Sequence, residues 1–179
     1  MAVLGLGTIG MTTLLSARCG GSGWIATTDL SPVKRQMALR CGADIAVDPL
    51  AEDPVELVRK ATDGLGVDVV FVAVASDAAL GQAVQMCRRM GRLVIIGSFI
   101  SGGALEVRQI QVRERMVLGS SMFTRKDYEL AIDLWMRGYF QALPLLITER
   151  ITLEQAPSVM AALAAGAKPD NLKTIIRPD

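Results

Sequence analysis

The chain of 179 residues contains no histidine, and aromatic side chains make up only 4% of it. The first absence removes the commonest general base and the commonest metal ligand together. The second means that a core must be assembled from aliphatic side chains, which the 51% apolar fraction supplies and which suits a sheet buried on both faces. Neither sign of charge dominates. Nineteen Lys and Arg against eighteen Asp and Glu leave a formal charge of +1, without a basic block that would displace counterions from a nucleic acid. Nucleic acid is not an expected partner. The three cysteines, Cys19, Cys41 and Cys87, are far apart and outside any C-x-x-C pair, so they read as reduced, buried thiols of a cytoplasmic protein and not as a zinc site. No membrane span is expected at residues 1–17, because Gly5, Gly7 and Gly10 interrupt an uncharged run already short of the about 20 residues that crossing needs.

What is present is an alternation. MAVLGLG, WIATTD, DIAVD, VDVVFVAV and RLVIIGS are short β-branched runs, and the stretches 10–19, 32–40, 54–62 and 77–90 between them carry helical patterns. With a further strand at 115–120, this predicts an α/β fold: a doubly wound, mostly parallel six-stranded sheet with helices on both faces. Ser31-Pro32 and Asp53-Pro54 each place a capping side chain before a proline suited to the first helical position, and Gly20, Gly42 and Gly91 stand where helices should stop.

After a polar connection at 101–113, Thr124 is expected to cap a helix running to about Arg137. ALPLLITERI reads as extended, Thr152 and Gln155 as a capping box before an alanine-rich helix, and LKTIIR as a closing strand, giving a C-terminal helix–strand extension. The expected division is a sheet domain over 1–145 and a C-terminal segment over 146–179.

The first strand runs into VLGLGTIG. In a G-x-G-x-x-G turn between strand and helix, Gly5 allows the tight turn, Gly7 lets the backbone approach a pyrophosphate, and Gly10 lets the helix pack closely. Thr8 and Ile9 would then offer their amides at the positive end of the helix dipole. Asp29, nineteen positions after Gly10 and at the end of the second strand, has the spacing of a ribose-binding acid. A carboxylate there accepts hydrogen bonds from both ribose hydroxyls and repels a 2′-phosphate, so NAD is preferred over NADP.

With VLGLGTIG, TTDLSPVKRQMALRCGAD, TDGLGVDVVFVAV, GRLVIIGS and LKTIIRPD in this order, the chain resembles the cofactor-binding domain of the medium-chain dehydrogenase/reductase family, its zinc-type alcohol, polyol and threonine dehydrogenases. The resemblance implies that Gly5, Gly7, Thr8, Ile9 and Gly10 cradle the pyrophosphate, that Asp29 holds the adenosine ribose with Leu30 beside the adenine, and that Lys34 reaches the same ribose. Ala73 and Val74 would line the cleft, Ile96, Gly97 and Ser98 the nicotinamide, Ser121 and Met122 its carboxamide, and Lys173 would approach the pyrophosphate. Val72 stands where an acidic residue is frequent in the family, and Ala75 where a glycine is.

The same resemblance implies a homodimer or higher oligomer through the sheet edge, around Ala104–Val107 and the sixth strand, and an alcohol or polyol substrate in the complete enzyme. The family's zinc ligands lie in a catalytic domain that precedes the cofactor domain, toward which the segment from 146 returns. No catalytic residue and no metal ligand is expected here, for neither Tyr128 nor Tyr139 is followed four residues later by a lysine. The expectation is the cofactor-binding half of a larger enzyme. Two other readings share the glycine turn and the acid: an NAD-sensing regulatory module without catalysis, and a methyltransferase using S-adenosylmethionine.

Overall fold

The protein is described from a computed structural model over residues 1–167 and 171–178. Ser31 and Asp53 begin their helices as their side chains dictate. The Ser31 hydroxyl accepts from the Lys34 amide at 3.4 Å, and an Asp53 carboxylate oxygen accepts from Val55 at 2.8 Å and Glu56 at 3.4 Å. Each such cap satisfies an amide that the first helical turn leaves free, worth about 1 kcal/mol. The elements in order are β1 (Ala2–Leu4), α1 (Thr8–Cys19), β2 (Ala26–Thr28), α2 (Pro32–Arg40), β3 (Ile45–Val47), α3 (Pro54–Ala61), β4 (Val67–Val72), α4 (Asp77–Met86), β5 (Cys87–Ile95), α5 (Val107–Gln111), β6 (Met116–Gly119) and α6 (Arg125–Met136). Thr124 caps α6 reciprocally with Asp127, whose carboxyl is held below its usual pKa by hydrogen bonds from the Thr124 backbone and hydroxyl.

These strands form one six-stranded sheet in the order β3-β2-β1-β4-β5-β6, every pairing parallel. Such an order needs right-handed crossovers that place helices on both faces, and it reverses direction between β1 and β4. Two aliphatic clusters fill the two sides. Leu4, Val70, Val72, Leu80, Ala83 and Leu93 pack with α3 and α4 on one face, and Val3, Met11, Leu14, Ile25 and Ala38 with α1 and α2 on the other.

Three expectations need correction. The helix expected over 77–90 ends at Met86, and Gly91 lies inside β5. Gly66 approaches so closely that a Cβ on it would sit 2.4 Å from the Met86 carbonyl oxygen, and Cys87 already pairs with Val67. Tertiary pairing therefore captures a segment whose local pattern is helical. The connection 101–113 contains the short helix α5. ALPLLITERI is not extended throughout, for Leu143–Leu146 is a 3-10 turn with Pro144 as its second residue, and it sends Leu146 into the α1-side core.

Beyond it β7 (Glu149–Thr152), α7 (Ala156–Ala164) and β8 (Thr174–Arg177) follow, so the C-terminal extension carries a strand on each side of its helix. β7 and β8 pair in parallel as a separate two-stranded sheet. Of the expected Thr152–Gln155 capping box, the Gln155 carboxamide oxygen accepts from the Thr152 amide at 2.9 Å, and α7 itself starts one residue after Gln155.

One part of the sheet has little cover. On the α1 side the registered residues Phe71, Val94 and Leu118 form a row across β4, β5 and β6, with Phe71 and Val94 half-buried and Leu118 exposed. α6 buries none of its residues and leaves Leu130, Ile132 and Trp135 exposed. Among the described residues no helix is long and apolar enough to cross a membrane.

Candidate functional site

The glycine turn sits at the carboxyl end of β1, where the strand order reverses and ligands of this fold lie. Gly5 has φ +88°, and a Cβ there would stand 2.7 Å from the Val74 Cβ. Gly10 is more constrained still, since its Cβ would come 1.8 Å from the Gly5 carbonyl oxygen. Gly7 differs from both. It is exposed, its φ of −68° suits any residue, and no protein atom lies within 4 Å of the Cβ it lacks. The need for glycine at 5 and 10 is internal to the fold, whereas the space over Gly7 is open to a ligand. α1 also starts without a side-chain cap or an acidic residue in its first turn, unlike α2, α3, α4 and α6, which Ser31, Asp53, Ser76 and Thr124 cap. Its first amides, at Thr8 and Ile9, therefore keep the positive end of the helix free for an anion.

Asp29 ends β2 beside this turn. One carboxylate oxygen accepts from the Leu6 amide at 2.7 Å and the other from Ser31 at 2.9 Å, so the acid joins the glycine turn to the cap of α2. Leu30 is 57% exposed next to it. Lys34 lies in the first turn of α2, half-buried. The cation that sequence reasoning missed is Arg35, which donates to the Asp29 and Leu30 carbonyls at 2.7 and 2.8 Å and pairs with Asp48 at 3.1 Å. Its only sequence signal was its place beside Lys34.

Ala73 continues from β4, its amide on the Leu4 carbonyl at 2.8 Å, and Val74 covers Gly5. Val72, at the frequent acidic position, is wholly buried, and its carbonyl receives the amides of both Ile96 and Gly97 at 2.9 Å. Gly97 packs on the same segment, since a Cβ there would stand 2.8 Å from the Val74 carbonyl carbon. Ser98 follows, exposed. The C-terminal segment reaches the turn through the Thr8 hydroxyl, which donates to the Leu172 carbonyl at 3.0 Å and so brings the adjacent, exposed Lys173 to the mouth of the site.

Ser121 and Met122 are the outliers. They lie beyond β6, connected to the rest through the Ser120 amide on the Ile95 carbonyl at 2.9 Å, with Met122 at φ +61° and 89% exposed. Asp68 is exposed within β4 and pairs with Arg88 at 2.6 Å. Cys41 and Cys87 are buried, and burial pushes both thiols up in pKa; Cys19 is half-exposed, its thiol on the Tyr139 carbonyl at 3.3 Å. Among the described residues no group of three or more His, Cys, Asp or Glu could hold a metal ion.

A parallel sheet of this order, with an open glycine turn tied to an acid on the neighbouring strand, defines the doubly wound dinucleotide-binding class of fold. The profile of the zinc-binding dehydrogenases matches residues 8–137, and the chain belongs to that family. It is 28% identical to the L-threonine 3-dehydrogenase of Symbiobacterium thermophilum, covering 99% of this chain and 50% of the relative, and 33% identical to the (R,R)-butanediol dehydrogenase of Bacillus subtilis, covering 86% and 43%.

The crystal structure of 2R,3R-butanediol dehydrogenase from Bacillus subtilis superposes with a TM-score of 0.87 at 30% identity, over 99% of this chain and 50% of that one. A protein described as a zinc-binding dehydrogenase from Sinorhizobium meliloti, solved with NADP bound, superposes with a TM-score of 0.88 at 30% identity, over 99% and 52%. The chain thus spans about half the length of the relatives it matches.

Proposed function

We propose that the chain is the NAD-binding domain of a zinc-type dehydrogenase that moves hydride between NAD and an alcohol or polyol. The observation that carries this reading is the bond from the Leu6 amide to Asp29, which fixes a carboxylate beside the open space over Gly7. Pyrophosphate would lie over Gly7 on the amides of Thr8 and Ile9, and Asp29 would hold the adenosine ribose with Leu30, Lys34 and the Arg35-braced loop beside it. Ala73 and Val74 would line the cleft, Ile96, Gly97 and Ser98 the nicotinamide, Ser121 and Met122 the carboxamide, and Lys173 would face the pyrophosphate. The nicotinamide, when bound, supplies the hydride chemistry. The residues of this chain bind and orient it.

One relative carries NADP, so the choice of cofactor rests on Asp29. Its carboxylate would lie against a 2′-phosphate, which favours NAD. The zinc and the proton route belong, on this reading, to a catalytic domain outside these residues, and 146–179 is the segment that returns toward it, as opposed to the cofactor domain at 1–145. The apolar faces of α6 and of β4–β6 on the α1 side are the surfaces such a domain would cover. Free thiols at Cys19, Cys41 and Cys87 favour a cytoplasmic setting.

Titration calorimetry with NADH, NADPH and S-adenosylmethionine tests the proposal. NADH alone should bind tightly, and the chain should not reduce NAD with an alcohol. Loss of NADH binding at saturating cofactor overturns the reading, and preferential binding of S-adenosylmethionine replaces it with a methyltransferase.

A further inference from the structure

At the opposite end of the sheet from the glycine turn, a cavity of about 460 Å³ opens between the last turns of α3 and α4 and the segment leading from α5 into β6. Arg59, Arg113 and Arg115 line it, with Gln85, Gln109 and the carboxylate of Glu106. Arg115 is 8% exposed and is the only charged side chain classed as buried among the described residues. Its Nε and Nη2 donate to the Cys87 carbonyl at 3.0 and 2.6 Å, and its Nη1 donates to the Gln109 carbonyl at 3.0 Å. Arg59 donates to the Gln85 carbonyl at 3.3 Å. The carbonyl oxygens at the end of α4 thus hold two guanidiniums in place, and one N–H on each terminal nitrogen of Arg115 has no acceptor among the described residues.

Arg18, Arg35, Arg88, Arg89, Arg125 and Arg137 each pair with a carboxylate, whereas among the described residues Arg59, Arg113 and Arg115, like Arg40, Arg92, Arg108, Arg150 and Arg177, have none within 4.0 Å, Glu106 included. What sets the three apart is that they line one cavity, with Arg115 buried. Burial pulls the Arg115 pKa below the ordinary arginine value; Cys87 opposes it, and the like charges of Arg113 and Arg59 add smaller downward pushes. Glu106 offsets only part of the positive charge. Unpaired like charges around a concavity are costly to the folded state, and an anion that binds there removes that cost.

We propose that this cavity is a second ligand site, distinct from the coenzyme cleft, for a phosphate group carried by a small molecule or free in solution. Guanidiniums fixed by backbone carbonyls offer their remaining N–H groups to phosphate oxygens, the geometry arginine matches best. The volume exceeds that of one phosphate and falls in the range of small-ligand pockets, leaving room for the remainder of an ester beside Gly81 and Val84.

The test is an NMR titration of the isotope-labelled chain with inorganic phosphate and with glycerol phosphate, in chloride matched for ionic strength. Saturable shifts are expected at the Arg113 and Arg115 Nε resonances and at the Gln109 amide, with glycerol phosphate tighter if an ester is the ligand and inorganic phosphate as tight if the free anion is. Arg113→Gln and Arg59→Gln, both at exposed positions, should each weaken binding about tenfold or more. Shifts confined to Thr8 and Ile9, an equal response to chloride, or wild-type affinity in both arginine variants would overturn the proposal.

Discussion

The Asp29 carboxylate accepts the Leu6 amide at 2.7 Å through one oxygen and the Ser31 amide at 2.9 Å through the other, so a single side chain sets both the glycine turn and the start of α2. On the proposed function, ligand and fold would compete for the same group, and variants at this position must separate them. Asp29→Asn keeps one oxygen for Leu6 but turns its NH2 toward the Ser31 amide and loses the charge. It should bind NADH about tenfold or more weakly, narrow the gap to NADPH, and cost about 1 kcal/mol of stability for the lost Ser31 bond. Asp29→Ala orphans both the Leu6 and the Ser31 amide and should cost more, about 1–3 kcal/mol in urea unfolding. Calorimetry and unfolding curves on the pair check this, and equal NADH affinity in wild type and Asp29→Asn would remove Asp29 from the site.

The glycines of the turn should separate by the same logic. A Cβ at Gly10 would overlap the Gly5 carbonyl oxygen, so Gly10→Ala must displace α1 from β1 and should destabilise by about 2 kcal/mol or more. Gly7→Ala meets no protein atom within 4 Å and requires no unusual φ. Its unfolding curve should match wild type while NADH binding falls, because the added methyl occupies the space where the pyrophosphate approaches. Wild-type NADH affinity in Gly7→Ala would contradict that placement.

These two positions also mark what the sequence made legible. The alternation of strand and helix, the Ser31, Asp53 and Thr124 caps and the spacing of Asp29 from Gly10 depend on near neighbours, and the sheet assembles as they imply. The end of α4 did not follow from local pattern, because Cys87 leaves the helix to pair with Val67 twenty residues earlier. Arg35 drew no attention for the same reason: its partner Asp48 lies across the β3 turn. Nor does any motif spell the arginine cavity, whose members come from α3, α4 and the approach to β6 and meet only in the folded chain. The roles proposed around the glycine turn rest on a turn with a known physical logic, and the residues missed were those whose contacts depend on tertiary partners.

Thiol chemistry gives a prediction with a definite sign. Burial raises the pKa of Cys41, and of Cys87 as well, above the model-peptide value of 9.0. Below that value both folded and unfolded thiols are protonated and contribute no pH dependence. Above it the unfolded thiols ionise first, the unfolded state binds fewer protons, and stability falls as pH rises. Urea midpoints should therefore decline between pH 8 and pH 10, and the decline should shrink in Cys41→Ala. An aromatic disulfide reagent should modify half-exposed Cys19 in the native protein and reach Cys41 and Cys87 only on unfolding. Equal native rates at the three sites would contradict the burial assignments.

The sheet edge supports the last prediction. Among the described residues β6 pairs with β5 alone, so the backbone N–H and C=O groups on its other side have no partner strand there. Its residues Met116, Val117 and Leu118 are all exposed, and the strand has none of the lysines, prolines or bulges that guard a free edge. An edge of that kind is free to pair with its own copy across a two-fold axis, which would extend the sheet. Of the candidate segments, 104–107 is the weaker, because the Ala104 amide is already held by the Asp77 carboxylate at 3.0 Å. Leu118→Lys places a charge on the edge without disturbing the buried core and should convert a dimer to a monomer in sedimentation equilibrium. Trp135→Ser serves as the counterpart, since Trp135 is exposed on α6 and is not part of β6. If the dimer forms through β6, only the first variant dissociates it. Dissociation by Trp135→Ser alone would move the interface to the apolar face of α6, and a monomeric wild type would show that β6 alone does not drive pairing.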